Sequence, residues 1–256
     1  MRRIERKLAA PGPCDNARVC GRYVLKASAI ELTQQFHLDE VPPLSARYNI
    51  APLQAAPIIQ ATAPKEPRRL TMAQWGLLPK WAKDASLAHQ LINARVESLE
   101  RKPAFKDLIA THRCVVPADG FYEWSHAGHT KQPHFIHPRT GGLLALAGLW
   151  SRWRSPDGLD VDTFTILTAG ANDDLRLPEI AGAKSPLLHQ RMPIFLDEPG
   201  WTTWLSSAGL DEVRPLLHSP PPGVLAFHAV GAHVNQVAFD DPRCLEPATT
   251  LQLRLL

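Results

Sequence analysis

Cysteine is scarce and widely spaced. The four thiols, at Cys14, Cys20, Cys114 and Cys244, form no CxxC pair, which argues against a zinc site and against a dithiol redox motif. Long apolar runs are also missing, so no stretch reaches the length of a transmembrane helix. The 256 residues, 45% of them apolar, fit a soluble globular protein of one large domain or two small ones. There is no internal repeat, no low-complexity tract and no composition shift to mark a second domain. The Leu8-Ala9-Ala10 run is far too short for the core of a secretory signal. The expectation is therefore a reducing cytoplasm with free thiols and no membrane partner. Basic charge is lacking where it would matter. Residues 1–18 hold five basic and two acidic side chains out of totals of 28 and 25, so the rest of the chain is balanced at 23 of each. A polyanion would have to be met by a local basic patch, not by overall charge.

Proline is plentiful, with 24 residues, which favours short elements and much loop. Residues 22–25 read as a strand. Ser28 with Glu31 three positions on forms a capping box ahead of Ile30, Leu32 and Phe36, which predicts a helix ended by Pro42-Pro43. Short apolar runs at 57–60 and 70–75 are of strand type. Residues 97–111 read as helical around Leu99, Leu108 and Ile109, with Pro103 as a break. From Cys114 onward strands dominate, at 114–116, 120–124, 133–137, 143–154 and 161–169, separated by turn signals at Gly128, Gly141-Gly142 and Pro156-Asp157-Gly158. Later strands are expected at 192–196 and 225–230, and helices near 201–205 and 211–217. Strands outnumber helices and do not alternate with them, which points to an α+β fold with a curved or barrel-like sheet.

Four strings carry the chemistry: Cys20-Gly21-Arg22-Tyr23, Asn93-Ala94-Arg95-Val96-Glu97, Val116-Pro117-Ala118-Asp119-Gly120-Phe121-Tyr122-Glu123-Trp124, and His189-Gln190-Arg191-Met192-Pro193. In that order they resemble the SRAP family of SOS response-associated peptidases, over residues 20 to about 247. The resemblance implies one α+β domain whose bifurcated, mostly antiparallel sheet forms a pseudo-barrel flanked by short helices. Residues 1–19 are then an extension and 248–256 a tail. It also implies a cytoplasmic, nucleoid-associated monomer that senses abasic sites in single-stranded DNA during the damage response. Such proteins bond covalently to the lesion through an N-terminal cysteine, with associated peptidase and lyase activities and without a cofactor or metal.

An N-terminal cysteine is a 1,2-aminothiol. Its α-amine has a pKa of about 8, against roughly 10.4 for lysine, so a useful fraction is neutral at pH 7. The amine can form an imine with the aldehyde of an abasic sugar, and the thiol then closes a thiazolidine. Here Cys20 stands behind Val19, and its nitrogen is an amide. The expectation is that the active protein lacks residues 1–19. Either translation starts at position 19, where a GTG start codon would otherwise encode valine, or the chain cleaves itself before Cys20.

A lone cysteine is usually a small buried hydrophobe, and that reading stands for Cys14, Cys114 and Cys244. Glu123, between two aromatics on a strand, is expected to have a raised pKa suited to acid–base work. The resemblance puts it beside the cysteine amine. His189 is a candidate proton shuttle, and Asn93 either holds the amine or sugar or caps a turn. Arg22, Arg95 and Arg191 are candidate phosphate contacts. Asn49 and Pro52 match a family loop beside the site, and Trp75, Trp81 and Trp124 are candidate stacking platforms for bases. Residues 177–186, including Lys184, read as an insertion before His189. Two rival readings are a thiol peptidase acting on proteins and a non-catalytic single-strand binder.

Overall fold

The computed structural model describes residues 20–61, 67–127, 130–177 and 186–249. The extension 1–19 and most of the insertion 177–186 and of the tail 248–256 lie outside the described residues. Strand β1 (Tyr23–Leu25) leads to helix α1 (Ala29–Phe36) and then to β2 (Arg47–Ile50), β3 (Ala55–Gln60), β4 (Arg69–Trp75) and β5 (Asn93–Arg95). After α2 (Leu108–Thr111) come β6 (Arg113–Ala118), β7 (Gly120–Ala127), β8 (Thr130–Pro138), β9 (Leu144–Arg154) and β10 (Asp160–Gly170). The chain ends with β11 (Arg191–Pro193), β12 (Phe195–Leu196), α3 (Glu198–Trp204), α4 (Leu210–Val213) and β13 (Leu225–Ala229).

Five strands, β10, β4, β3, β6 and β9, close on themselves because β9 also pairs with β10. All these pairings are antiparallel except β10 with β4, so the barrel is mixed. Strands β5 and β11 extend β10, and β12 extends β9. A second, five-stranded sheet runs β13-β8-β7-β1-β2. This is a single-domain α+β pseudo-barrel.

The two sheets part at Asp119, the one residue between β6 of the barrel and β7 of the second sheet. Its carboxylate accepts from the backbone amides of Lys26 (2.7 Å) and Ala27 (3.1 Å) and pairs with Lys26 Nζ at 2.9 Å. The fork therefore fixes the end of β1 against the start of β7. Gly120 follows because the strands approach too closely for a side chain: a Cβ there would lie 2.3 Å from the Ile136 carbonyl oxygen.

The main core fills the barrel and the space under α1 and α3, around Trp75, Trp201, Trp204, Phe105 and Phe164. Helix α1 is held by the capping box: Ser28 N–H donates to Glu31 at 2.7 Å and Glu31 N–H donates to the Ser28 hydroxyl at 3.3 Å. Leu32 and Phe36, one turn apart, face the core. Arg113, buried, donates to the carbonyls of Ile109, Ala110, Trp204, Ser206 and Ala208 at 2.6–3.1 Å, which ties α2 and the end of α3 to the barrel. A buried guanidinium is tolerated here because its donors are met.

One predicted helix does not form. Residues 97–111 give a single 3₁₀ turn (Val96–Ser98), a run of turns and the four-residue α2. Pro103 cannot donate to a helical ladder and clashes with the preceding turn, so the segment breaks there. No helix among the described residues is long and apolar enough to cross a membrane.

Candidate active site

Cys20 enters β1 with φ of 40°, in the left-handed region that side chains with a Cβ rarely adopt. Strand β1 lies against β7, with Tyr23 opposite Phe121 and the Tyr122 amide donating to the Arg22 carbonyl at 3.0 Å. That register carries the Cys20 nitrogen to Glu123, where it donates to Oε1 at 2.7 Å across 103 residues of sequence. Asn93, at the start of β5, donates from Nδ2 to the Cys20 carbonyl oxygen at 3.4 Å. The Cys20 thiol has the Arg22 carbonyl oxygen as its hydrogen-bond partner at 3.9 Å.

Glu123 is 3% exposed, and burial pushes its carboxyl up to about 8, partly offset by the hydrogen bond from the Cys20 nitrogen. The adjacent rings are not its surroundings. Strand alternation sends Tyr122 and Trp124 to the other face, where they pack in a separate cluster with Val24, Val234 and Phe239. Glu123 shares the face of Phe121 and Tyr23, which belong to the main core. Cys20 is fully buried too, and its thiol is held well above the usual range by burial and then by the Glu123 charge. A thiol so placed stays protonated near neutrality and is a poor nucleophile by itself.

The raised Glu123 carboxyl has a stability consequence. Protonated, it favours the native state. That contribution is complete below its ordinary 4.5 and is lost as pH rises towards about 8. Glu123→Gln keeps an acceptor for the Cys20 nitrogen and has no charge to bury. Its melting temperature should therefore be flatter than the parent's between these pH values, and higher than the parent's at pH 8. Thermal unfolding across that range is the check, and a parent-like pH profile in the variant would refute the burial argument.

Parallel pairing of β5 with β10 puts Arg95 opposite Thr168, and β11 puts Arg191 opposite Gly170 on the same strand. The two arginines and His189 thus gather at one end of β10. His189 is half-buried, and its Nδ1 accepts from the Arg191 amide at 3.0 Å. Burial lowers its pKa. The Arg191 carbonyl counteracts this, and the charges of Arg191 and Arg95 add to the lowering. Arg95 is exposed, and among the described residues its guanidinium has no hydrogen-bond or ion-pair partner.

Several expected DNA contacts are committed elsewhere. Trp75 is fully buried: its indole donates to the Ile92 carbonyl at 2.8 Å and its ring meets Tyr23 edge-on at 5.2 Å, so it offers no face to a base. Asn49, also buried, donates to the carbonyls of Val234, Gln236 and Phe239 and pins residues 234–239 against β2. Arg22 is buried as well and donates to Asn49 Oδ1 at 3.0 Å and to the Val234 carbonyl at 2.7 Å. Arg191 is clamped by Glu97, which accepts from both terminal nitrogens at 3.0 and 2.9 Å. Pro52 is half-buried beside Leu53, itself at φ of 69°. Trp124 is half-buried and donates to Asn235 Oδ1 at 2.7 Å. Trp81, by contrast, is 59% exposed and flanked by exposed Lys80 and Lys83. Lys184 lies outside the described residues. Among the described residues no cluster of three or more His, Cys, Asp or Glu could hold a metal.

Sequence reasoning passed over Glu97. The signal was present, since Glu97 is the last residue of the Asn93–Glu97 string, two positions beyond Arg95.

Comparison with known proteins bears on this geometry. The sequence profile described as SOS response associated peptidase (SRAP) matches residues 19–237. Abasic site processing protein YoqW of Bacillus subtilis (strain 168) is 32% identical over 234 residues, covering 89% of this chain and 99% of that protein. Abasic site processing protein HMCES of Gallus gallus is 32% identical over 230 residues, covering 78% of this chain and 66% of that protein. A crystal structure of a Bacteroides thetaiotaomicron protein matches with a TM-score of 0.74 at 23% identity, over 90% of this chain and all of that one, a likeness of fold.

Proposed function

Because the chain belongs to the SRAP family, we propose that it processes abasic sites in DNA by bonding to them covalently through Cys20, once Cys20 is the first residue. The observation that carries this reading is the 2.7 Å contact between the Cys20 nitrogen and the buried Glu123 carboxyl. In the chain as it stands that nitrogen is a peptide amide. In a protein beginning at Cys20 it becomes the α-amine, and the acid–base group already touches it.

In this reading the free amine adds to the C1′ aldehyde of the ring-opened sugar. Glu123 supplies the proton with which the carbinolamine loses water, leaving an imine. The Cys20 thiol then adds to the imine carbon and its proton passes to the nitrogen, closing a thiazolidine with net release of one water. The ring holds the adduct without needing a thiolate, which suits a thiol held high by burial. His189 serves the sugar oxygen, giving or taking the proton that opening and reclosing the deoxyribose require. Asn93 fixes the Cys20 carbonyl. Arg95 meets a phosphate, and Trp81 offers a ring to an unstacked base. Removal of residues 1–19, by start-site choice or self-cleavage, is the step that arms the site.

A peptidase acting on other proteins through an internal Cys20 gains less support. That role needs a reactive thiolate, whereas this thiol is buried and has the Arg22 carbonyl oxygen as its hydrogen-bond partner. A passive single-strand binder leaves the buried carboxyl at the Cys20 nitrogen unexplained.

The test is adduct formation by protein beginning at Cys20. Single-stranded DNA with one abasic site should give a heat- and denaturant-stable complex. The same strand annealed to a full complement should react poorly, because a stacked lesion must first leave the helix. Equal yields would contradict the single-strand assignment. Binding with no stable complex would favour the passive binder.

A further inference from the structure

Glu97 has no part in the chemistry above, yet it makes a two-pronged charged contact at the end of β10. Arg191 donates from Nη1 to Glu97 Oε1 at 3.0 Å and from Nη2 to Glu97 Oε2 at 2.9 Å. The same Nη2 donates to the Thr168 carbonyl at 2.6 Å, and Nε donates to the Thr168 hydroxyl at 3.4 Å. The Arg191 side chain is only 15% exposed, whereas that of Glu97 is 56% exposed. A planar guanidinium held this way on one carboxylate and one strand has little rotational freedom left.

The consequence reaches His189 through the backbone. The Arg191 amide donates to His189 Nδ1 at 3.0 Å, and the Arg191 carbonyl lies 3.2 Å from the same nitrogen. In the neutral ring the amide contact makes Nδ1 an acceptor, so the proton sits on Nε2. In the protonated ring Nδ1–H turns to the carbonyl. Either way one residue's backbone holds the inner nitrogen and leaves Nε2 for substrate. That residue is in turn held by Glu97 and Thr168. The other charged groups acting on His189 are Arg95 from β5 and Arg191 itself.

We infer that Glu97 is a positioning residue with two effects: it locks Arg191, and with it the turn that orients His189, and it neutralises Arg191 so that Arg95 is the cation left for phosphate. This rests on the covalent reading of the site. It makes Glu97 a carboxylate that weakens DNA binding while speeding the reaction, and the two effects can be read separately.

The experiment uses protein beginning at Cys20 and its Glu97→Gln variant. Single-turnover adduct formation is measured on abasic single strands, and affinity for undamaged single strands is measured across a salt series. In the variant the adduct rate should fall about tenfold or more, the scale on which outer partners of a reactive group act. Affinity should rise, and the salt slope should steepen by about 0.7, one phosphate contact. Arg95→Ala should do the reverse, lowering affinity and flattening the slope by about 0.7. In a His189→Ala background Glu97→Gln should have no further effect on rate. A residue that only stabilised the fold would lower rate and affinity together. That result, an unchanged rate, or a full Glu97→Gln rate effect without His189, overturns the inference. If the parent binds DNA and forms no adduct, the covalent reading fails, and the affinity arm still decides whether Glu97 masks Arg191.

Discussion

Protein that begins at Cys20 should form the stable adduct with abasic single-stranded DNA, and protein that retains residues 1–19 should form none that survives denaturation. The difference follows from the nitrogen alone. An α-amine with a pKa of about 8 is partly neutral and nucleophilic at pH 7, whereas the amide that Cys20 carries in the full chain has no available lone pair. An internal cysteine can offer the aldehyde only a hemithioacetal, which reverts on denaturation. Replacing the first residue, Cys20→Ala, separates amine from thiol. The variant should still form an imine, trapped by borohydride, but no complex that survives heat without reductant. Full adduct yield with residues 1–19 in place would mean that another thiol or a lysine does the chemistry.

Glu123→Gln and His189→Ala should both slow the reaction by about 10²–10⁴-fold, the usual contribution of a general acid or base, but at different steps. The side-chain amide that Glu123→Gln introduces can still accept from the Cys20 nitrogen and cannot relay a proton, so imine formation and ring closure should slow. An aldehyde that needs no sugar opening should leave the Glu123→Gln defect in place. In the proposed mechanism His189 serves the sugar oxygen, so His189→Ala should slow capture of ordinary abasic DNA and reversal of the finished adduct, and should be largely rescued by such an aldehyde. Affinity for undamaged strands should change little in either variant. Single-turnover time courses, followed by a chase with excess competitor DNA, read both steps. Parent rates of capture and reversal in His189→Ala would remove it from the mechanism.

What the sequence made legible follows the range of the interactions involved. Strand runs such as β4, β9 and β10 announce themselves because apolar, aromatic or β-branched residues cluster in them. The capping box at Ser28 and Glu31 is a contact over three residues and forms as read. Barrel closure depends on β9 pairing with β10 and β10 with β4, and no local pattern encodes a parallel pairing between residues about ninety positions apart. Strand β5 is three residues long and has no period to detect. The helix expected at 97–111 failed on Pro103, the break already visible in that window.

The candidate site shows the same division. The strings around Cys20, Asn93, Glu123 and His189 could be found by their residues, and the fold brings Cys20, Asn93 and Glu123 into direct contact. The arginines could not be sorted by sequence. Arg22, Arg95 and Arg191 look alike in their strings, yet Arg22 is buried on Asn49, Arg191 is clamped by Glu97, and Arg95 alone of the three is exposed. Partner choice among identical side chains is set by tertiary register. The tryptophans divide likewise, since Trp75 and Trp81 are six residues apart and one is fully buried while the other is 59% exposed.

The most direct test of the central claim is the mass of the adduct. Protein beginning at Cys20 is reacted with abasic single-stranded DNA, the DNA is trimmed by nuclease, and the crosslinked peptide is measured with and without borohydride. A thiazolidine predicts the summed masses less one water, on the peptide that starts at Cys20, with no change on borohydride treatment. A mass that gains two hydrogens marks an open imine, one that keeps the water marks a hemithioacetal, and a crosslink on any other peptide places the chemistry elsewhere. Any of these three results would contradict the account.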